Sequence, residues 1–178
     1  MAPAYGRFQW NYCPICAKKL ADADDGQGMR PYCNDCDRFY YSNPVPAACC
    51  FLENEEGALL FVQRSVEPKR GLWTFPGGFV ELGETSDEGA LRELEEETAL
   101  KGRGTTLFAA TTLSGKRTGG VLVLGYRVAE WEGEMVADTD AMDLGFFTKE
   151  KRPELAFEVH MELLRIYDEI TAAGAPWK

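Results

Sequence analysis

Three glutamates, Glu93, Glu96 and Glu97, stand at i, i+3 and i+4 in the stretch GFVELGETSDEGALRELEEETAL, residues 78–100. If the stretch is helical, that spacing puts three carboxylates on one face. One reading is a solvated acidic face. The other is a hard, all-oxygen cage for Mg²⁺ or Mn²⁺. Like charges at these spacings cost roughly a few tenths of a kcal/mol per pair, so a crowded triplet without a counterion is mildly unfavourable. Pro76-Gly77-Gly78, immediately upstream, signals a tight turn with close backbone approach. A loop carbonyl beside three helical carboxylates favours the cage.

A second set of potential ligands lies near the start of the chain. Cys13-Pro-Ile-Cys16 and Cys33-Asn-Asp-Cys36 are two CxxC pairs separated by sixteen residues, the spacing of a four-cysteine zinc ribbon. A disulfide or a redox CxxC would be the alternative; a redox site uses one such pair at a helix start rather than two matched ones. Ala17 and Asp37 follow the second cysteine of each pair, where such knuckles often carry glycine. Cys49 and Cys50 are adjacent in a strand-like run, so they face opposite sides and cannot chelate one ion together.

The totals bound the function. The chain has 178 residues and a net charge of −10, and residues 81–97 hold eight acids and one Arg. The acidity is therefore concentrated where divalent cations would neutralise it, and it argues against a nucleic-acid surface. No apolar run approaches the length of a membrane span, and the N-terminus lacks a signal-peptide apolar region, which leads us to expect a cytoplasmic protein without membrane partners. Nothing in the pattern decides between a monomer and a homodimer.

These residues need elements to position them. Thr85 or Ser86 can cap the acidic helix, with Asp87 and Glu88 in its first turn. Leu91, Leu94 and Thr98 fall on a packing side, Glu95 points away from the triplet, and Arg92 can reach Glu88 or Glu96. Ala47–Glu53 reads as a buried strand, Glu53–Gly57 as a hairpin turn and Ala58–Ser65 as its partner strand. Later strands are expected near 105–113, 121–129 and 144–148, with a glycine-rich turn at 114–120. A helix from about Pro153 to Ala172 has Val159, Leu163, Ile166 and Ile170 at helical spacing. The pattern implies an α+β fold. A ribbon over residues 1–44 precedes a main domain over 45–178, with Ser42-Asn-Pro-Val-Pro as linker.

The stretch from Gly78 to Leu100 resembles the signature of the Nudix hydrolases, with Gly78, Glu84, Arg92, Glu93, Leu94, Glu96, Glu97 and Leu100 in register. It departs once, with Ala99 where that family has glycine; Gly102 is then an alternative end for the helix. The ribbon, followed by Tyr-Ser-Asn-Pro and by Pro-Lys-Arg-Gly-Leu-Trp-Thr-Phe-Pro-Gly-Gly-Phe, is similar to the zinc-ribbon Nudix subgroup. The resemblance implies an α/β/α sandwich with a mixed sheet. It also implies attack of water on a nucleoside diphosphate linked to another group, with a small-molecule nucleotide as partner. By resemblance the Gly77 carbonyl, Glu93, Glu96 and Glu97 hold Mg²⁺ or Mn²⁺, and Glu93, Glu97 and Arg92 form the catalytic group. Glu84 fixes the loop or shares an outer metal.

The proton acceptor is either Glu93 or an acid outside the signature; Glu132, Glu134, Asp140 and Asp143 are the candidates, each equally readable as an exposed loop acid. Arg64, Lys69 and Arg70 are candidates for binding the diphosphate. Trp73 reads as a core residue, with stacking on a base as the alternative, and His160, the single histidine, as a packing or surface residue. The NADH-specific members carry a Ser-Gln-Pro-Trp stretch after the signature that is missing here. Leu155-Ala-Phe157 resembles the ADP-ribose/FAD subgroup, so ADP-ribose or a related dinucleotide is the expected substrate. The alternatives are a non-catalytic nucleotide sensor or adaptor, and a hydrolase preferring NADH or a nucleoside triphosphate.

Overall fold

The computed structural model describes residues 10–113, 120–137 and 141–174. They fall into two compact units, the first ending at Pro44 and also taking in Gly120, the second beginning at Val45.

In the first unit, strands β1 (Ala21–Asp24), β2 (Met29–Cys33) and β3 (Arg38–Phe39) make a small antiparallel sheet in the order β1-β2-β3. Its interior is Cys13, Cys33 and Tyr40, with Trp10, Leu20, Cys16 and Cys36 packed against them. So small an apolar cluster is a weak source of stability by itself.

The second unit is built on β4 (Val45–Leu52), which pairs antiparallel with β7 (Gly77–Phe79) and parallel with β9 (Val121–Glu132); β8 (Lys101–Leu113) completes that sheet in the order β7-β4-β9-β8. A second sheet has β5 (Leu59–Arg64) between β6 (Trp73–Thr74) and β10 (Ala141–Phe147). Alternation along β4 sorts its side chains to two cores. Cys49 and Phe51 join one with Phe61, Phe75, Leu163 and Tyr167; Ala48, Cys50 and Leu52 join the other with Ala90, Leu94, Leu100 and Val128. The two adjacent cysteines thus face opposite ways. Helix α1 (Ser86–Thr98) supplies one outer layer and helix α2 (Glu158–Ala172) the other, the α/β/α arrangement expected.

Several boundaries differ from the expectations for identifiable reasons. Helix α2 starts at Glu158, not Pro153, because 154–156 is drawn into extended pairing with Trp73: the Trp73 N–H donates to Glu154 O (3.1 Å) and the Ala156 N–H to Trp73 O (2.7 Å). Its fully buried stripe is Val159, His160, Leu163 and Tyr167, with Ile166 and Ile170 only half-buried. The turn expected at 114–120 lies almost wholly outside the described residues. His160 is a core residue: its Nδ1 lies 2.7 Å from the Thr74 hydroxyl, and its ring meets Phe75 and Phe157 edge-on. Burial, aided by the Arg64 charge, pushes its pKa down to about 4.

Helix α1 is capped at Thr85, whose N–H donates to the Glu88 carboxylate (2.8 Å). It ends at Ala99, which adopts φ 60, ψ 7, the left-handed conformation that a side chain disfavours. Gly102 does not end the helix; it sits in β8 opposite Trp131. Any Cβ there would come within 2.8 Å of Leu91.

Ala99→Gly is therefore expected to stabilise the chain by about 1 kcal/mol in urea denaturation, and an unchanged midpoint would refute the strain at that position. His160 generates a pH dependence. Its folded pKa lies below the unfolded value, so the unfolded chain binds the extra proton, and stability present above about pH 6.5 falls as the pH drops towards 4. The loss is on the order of 3 kcal/mol. His160→Gln should flatten this segment of the stability–pH curve relative to the unaltered chain; identical curves would contradict it.

Candidate active site

The turn entering α1 is shaped by close approach. Pro76 O accepts the Cys50 N–H (2.8 Å), holding the turn on β4. Gly77 adopts φ 155, and a Cβ there would sit 2.3 Å from Ala48 O. At Gly78 an added Cβ would sit 2.3 Å from Glu93 Oε1. Gly77 therefore demands glycine, because it meets strand backbone, whereas a side chain at Gly78 would have to displace a helical carboxylate. The Gly77 N–H donates to Glu97 Oε2 at 2.9 Å, tying the turn to the last full turn of α1.

Arg92 is the hub of the acidic face. Its Nε and one terminal nitrogen both reach the Glu84 carboxylate at 3.0 Å, and the other terminal nitrogen reaches Glu93 (3.1 Å) and Glu96 (2.9 Å). It also donates to Phe79 O (3.1 Å). Glu88 is not among its partners, because the N-cap has taken that carboxylate. Glu84 accepts the Glu81 N–H (2.7 Å) as well, so it fixes the loop. Hydrogen bonding from Arg92 holds the Glu84 carboxyl below its ordinary range. Glu93 goes the other way: burial pushes its carboxyl up, against the pull of Arg92. Glu95 lies outside this network, beside Lys101 (3.4 Å). Glu84, Glu93, Glu96 and Glu97 against Arg92 leave an excess of negative charge that suits a divalent cation. Glu93, Glu96 and Glu97 do not form a group with all ligand atoms within 4.8 Å of one another; among the described residues the cysteines alone do so.

Those cysteines, Cys13, Cys16, Cys33 and Cys36, are unoxidised. The Cys13–Cys36 sulfurs are 3.8 Å apart and the Cys16–Cys33 sulfurs 3.5 Å. A tetrahedral ZnS₄ centre with bonds of about 2.3 Å has edges of about 3.8 Å, so the set fits zinc. Ala17 (φ 58) and Asp37 (φ 49) are left-handed, as the two knuckles require. Burial would raise the Cys13 thiol, but hydrogen bonds from Tyr40 and the Cys16 and Ile15 N–H groups outweigh it and bring it down to about 6. Thiolate character of that kind suits a metal ligand.

The remaining candidates are less concentrated. Arg64 donates to Pro68 O (3.0 Å) and lies 5.1 Å over the Phe157 ring; Lys69 and Arg70 are exposed on the same loop. Glu132 pairs with Arg103 (3.3 Å), and Asp143 accepts the adjacent Leu144 N–H. Glu134 is exposed in the segment whose Val136 N–H docks on Thr98 O (3.0 Å); Asp140 lies outside the described residues. Trp73 packs on Phe147, a core role. Sequence reasoning missed two anchors of the site: the Thr74–His160 pair upstream of the turn, and the Ser86–Tyr126 hydroxyl pair (2.6 Å) fixing the start of α1 to β9. Residues that far apart carry no mutual spacing signal.

Comparison with known proteins matches this architecture. The family model described as NUDIX domain matches residues 43–162. An ADP-ribose pyrophosphatase of Methanocaldococcus jannaschii is 31% identical over 71% of this chain and 75% of its own length. A NAD-capped RNA hydrolase NudC of Photobacterium profundum is 30% identical over 56% of this chain, and the match spans only 36% of that protein. Among solved structures, a NUDIX hydrolase from Nitrosomonas europaea superposes with a TM-score of 0.71 at 24% identity, covering 94% of this chain and 95% of its own. With two thirds of its length matched by the family model, and with the glycine turn and glutamate helix built as described, the chain belongs to the Nudix family of hydrolases acting on pyrophosphate bonds.

Proposed function

We propose that the chain is a Mg²⁺- or Mn²⁺-dependent pyrophosphohydrolase that cleaves a nucleoside diphosphate linked to another group, with ADP-ribose or a related dinucleotide such as FAD as substrate. The observation that carries this reading is the Gly77–Gly78 backbone pressed against Glu93 and Glu97, with Arg92 tying Glu93 and Glu96 to the same site. Glu93, Glu96, Glu97 and Gly77 would hold the cation. When bound, it supplies charge neutralisation at the diphosphate and acidifies the attacking water. Arg92 sets the directions of Glu93 and Glu96, and Glu84 sets Arg92. Glu93, half-buried and hydrogen-bonded by Arg92, is placed to take the proton from the water as it attacks phosphorus. The P–O bond of the anhydride breaks, and each half leaves with one phosphate. Arg64, Lys69 and Arg70 serve the substrate's phosphates.

The Methanocaldococcus relative, matched over most of its length, supports ADP-ribose. The NudC relatives, named as NAD-capped RNA hydrolases, favour a second reading, the NAD cap of an RNA, although their shared region is about a third of their length. Residues 1–44 form a separate ribbon in which Cys13, Cys16, Cys33 and Cys36 hold one structural Zn²⁺, and residues 45–178 form the hydrolase domain.

Steady-state AMP release from ADP-ribose, FAD, NADH and a nucleoside triphosphate, with saturating Mg²⁺ or Mn²⁺, tests the assignment. ADP-ribose or FAD should give the highest kcat/KM. A tenfold advantage for NADH, or cleavage of the triphosphate alone, would overturn the substrate class. Glu97→Gln keeps the shape of the side chain and removes one charge, and should lower kcat by at least about 100-fold with the fold intact. Glu95→Gln, off that face, should be nearly silent; equal losses from both would show that α1 presents a different face to the substrate.

A further inference from the structure

We propose that Tyr40 is a positioning residue of the cysteine site, its hydroxyl donating to the Cys13 thiolate and thereby setting how firmly zinc is held. The inference rests on the reading of the four thiols as a zinc site. Tyr40 follows β3 directly; its N–H donates to Pro31 O (2.8 Å), which fixes the backbone beside the metal ligands. Its ring is 9% exposed and packs on Trp10 with centroids 5.4 Å apart. Its hydroxyl lies 3.0 Å from Cys13 Sγ.

A buried phenol needs a hydrogen-bond partner, and a metal-bound thiolate has no proton to give, so the direction is set: Tyr40 donates and Cys13 accepts. Four thiolates around one dication leave two net negative charges in a small, poorly solvated cluster. Groups that share that charge are part of the site's stability. Two are present. Tyr40 acts on Cys13, and the Lys18 ammonium, paired with Asp35, lies within electrostatic reach of Cys16 and Cys33. Neither is marked by the CxxC spacing. The alternative, that Tyr40 only fills space against Trp10, needs the ring and not the oxygen.

Tyr40→Phe in the full-length, zinc-loaded chain separates the two, because it keeps the ring and deletes the donor. Zinc transfer to a chromogenic chelator should be about 10- to 100-fold more favourable than from the unaltered protein. Tyr41→Phe, an exposed neighbour, should stay within about twofold. The cobalt-substituted protein gives a readout that packing alone does not move. At saturating Co²⁺, loss of a hydrogen bond raises the energy of the sulfur lone pair, so the thiolate-to-metal charge-transfer band should shift to lower energy in Tyr40→Phe. Unchanged zinc transfer with an unshifted band would overturn the proposal, as would equal effects of Tyr40→Phe and Tyr41→Phe. An unaltered chain that binds neither zinc nor cobalt would instead refute the zinc reading beneath it.

Discussion

The backbone of Gly77 and Gly78 is wedged between β4 and the carboxylate face of α1: a side chain at Gly77 would meet the β4 backbone, and one at Gly78 would displace the Glu93 carboxylate. On one side the limit is Ala48 O, on the other Glu93. This close approach lets a main-chain N–H meet Glu97 at 2.9 Å and makes a strand turn and a helix face parts of one site. The surrounding structure keeps the two surfaces in contact. Cys50 holds Pro76, Leu94 and Ala90 bury α1 against the sheet, and Ser86 with Tyr126 fixes the helix start. Burying side chains such as Leu94 is worth about 1.5–3 kcal/mol each, far more than the mutual repulsion of the glutamates costs.

Arg92 resolves the electrostatic problem this arrangement creates. Its planar guanidinium meets one carboxylate in a fork and still has donors for two more, which a lysine could not match. Glu84 is the forked partner and is itself fixed to the loop by the Glu81 N–H. The orientation of the helical carboxylates therefore depends on a loop residue eight positions before Arg92. That gives Glu84, between the glycine turn and the helix cap, a structural reason for its place.

What the sequence made legible was what is periodic or local. The i, i+3, i+4 glutamates, the opposed faces of Cys49 and Cys50 and the doubled CxxC are regular enough to place groups in space without coordinates. The left-handed Ala99 was visible as a departure from an otherwise regular signature. Contacts closed by tertiary structure were not legible. Glu88 and Glu84 are both within plausible reach of Arg92, and the choice depends on a cap hydrogen bond. His160 meets Thr74 across 86 residues, and Tyr40 meets Cys13 across 27. The start of α2 was misplaced because propensity is silent about the strand pairing that captures Glu154 and Ala156. The candidate acids Glu132 and Asp143 turned out to be engaged by Arg103 and by a neighbouring N–H, relations that composition does not encode.

If the glycine turn and the glutamate face form one cation site, Mn²⁺ binding must depend on both. The most direct test is a Mn²⁺ titration followed by electron paramagnetic resonance, in which the signal of free aqueous Mn²⁺ reports what the protein has not bound. The unaltered chain should deplete that signal saturably, and Gly78→Ala should not, because the added methyl displaces the Glu93 carboxylate while the cysteine site is untouched. Full Mn²⁺ binding by Gly78→Ala, or none by the unaltered chain, would contradict it.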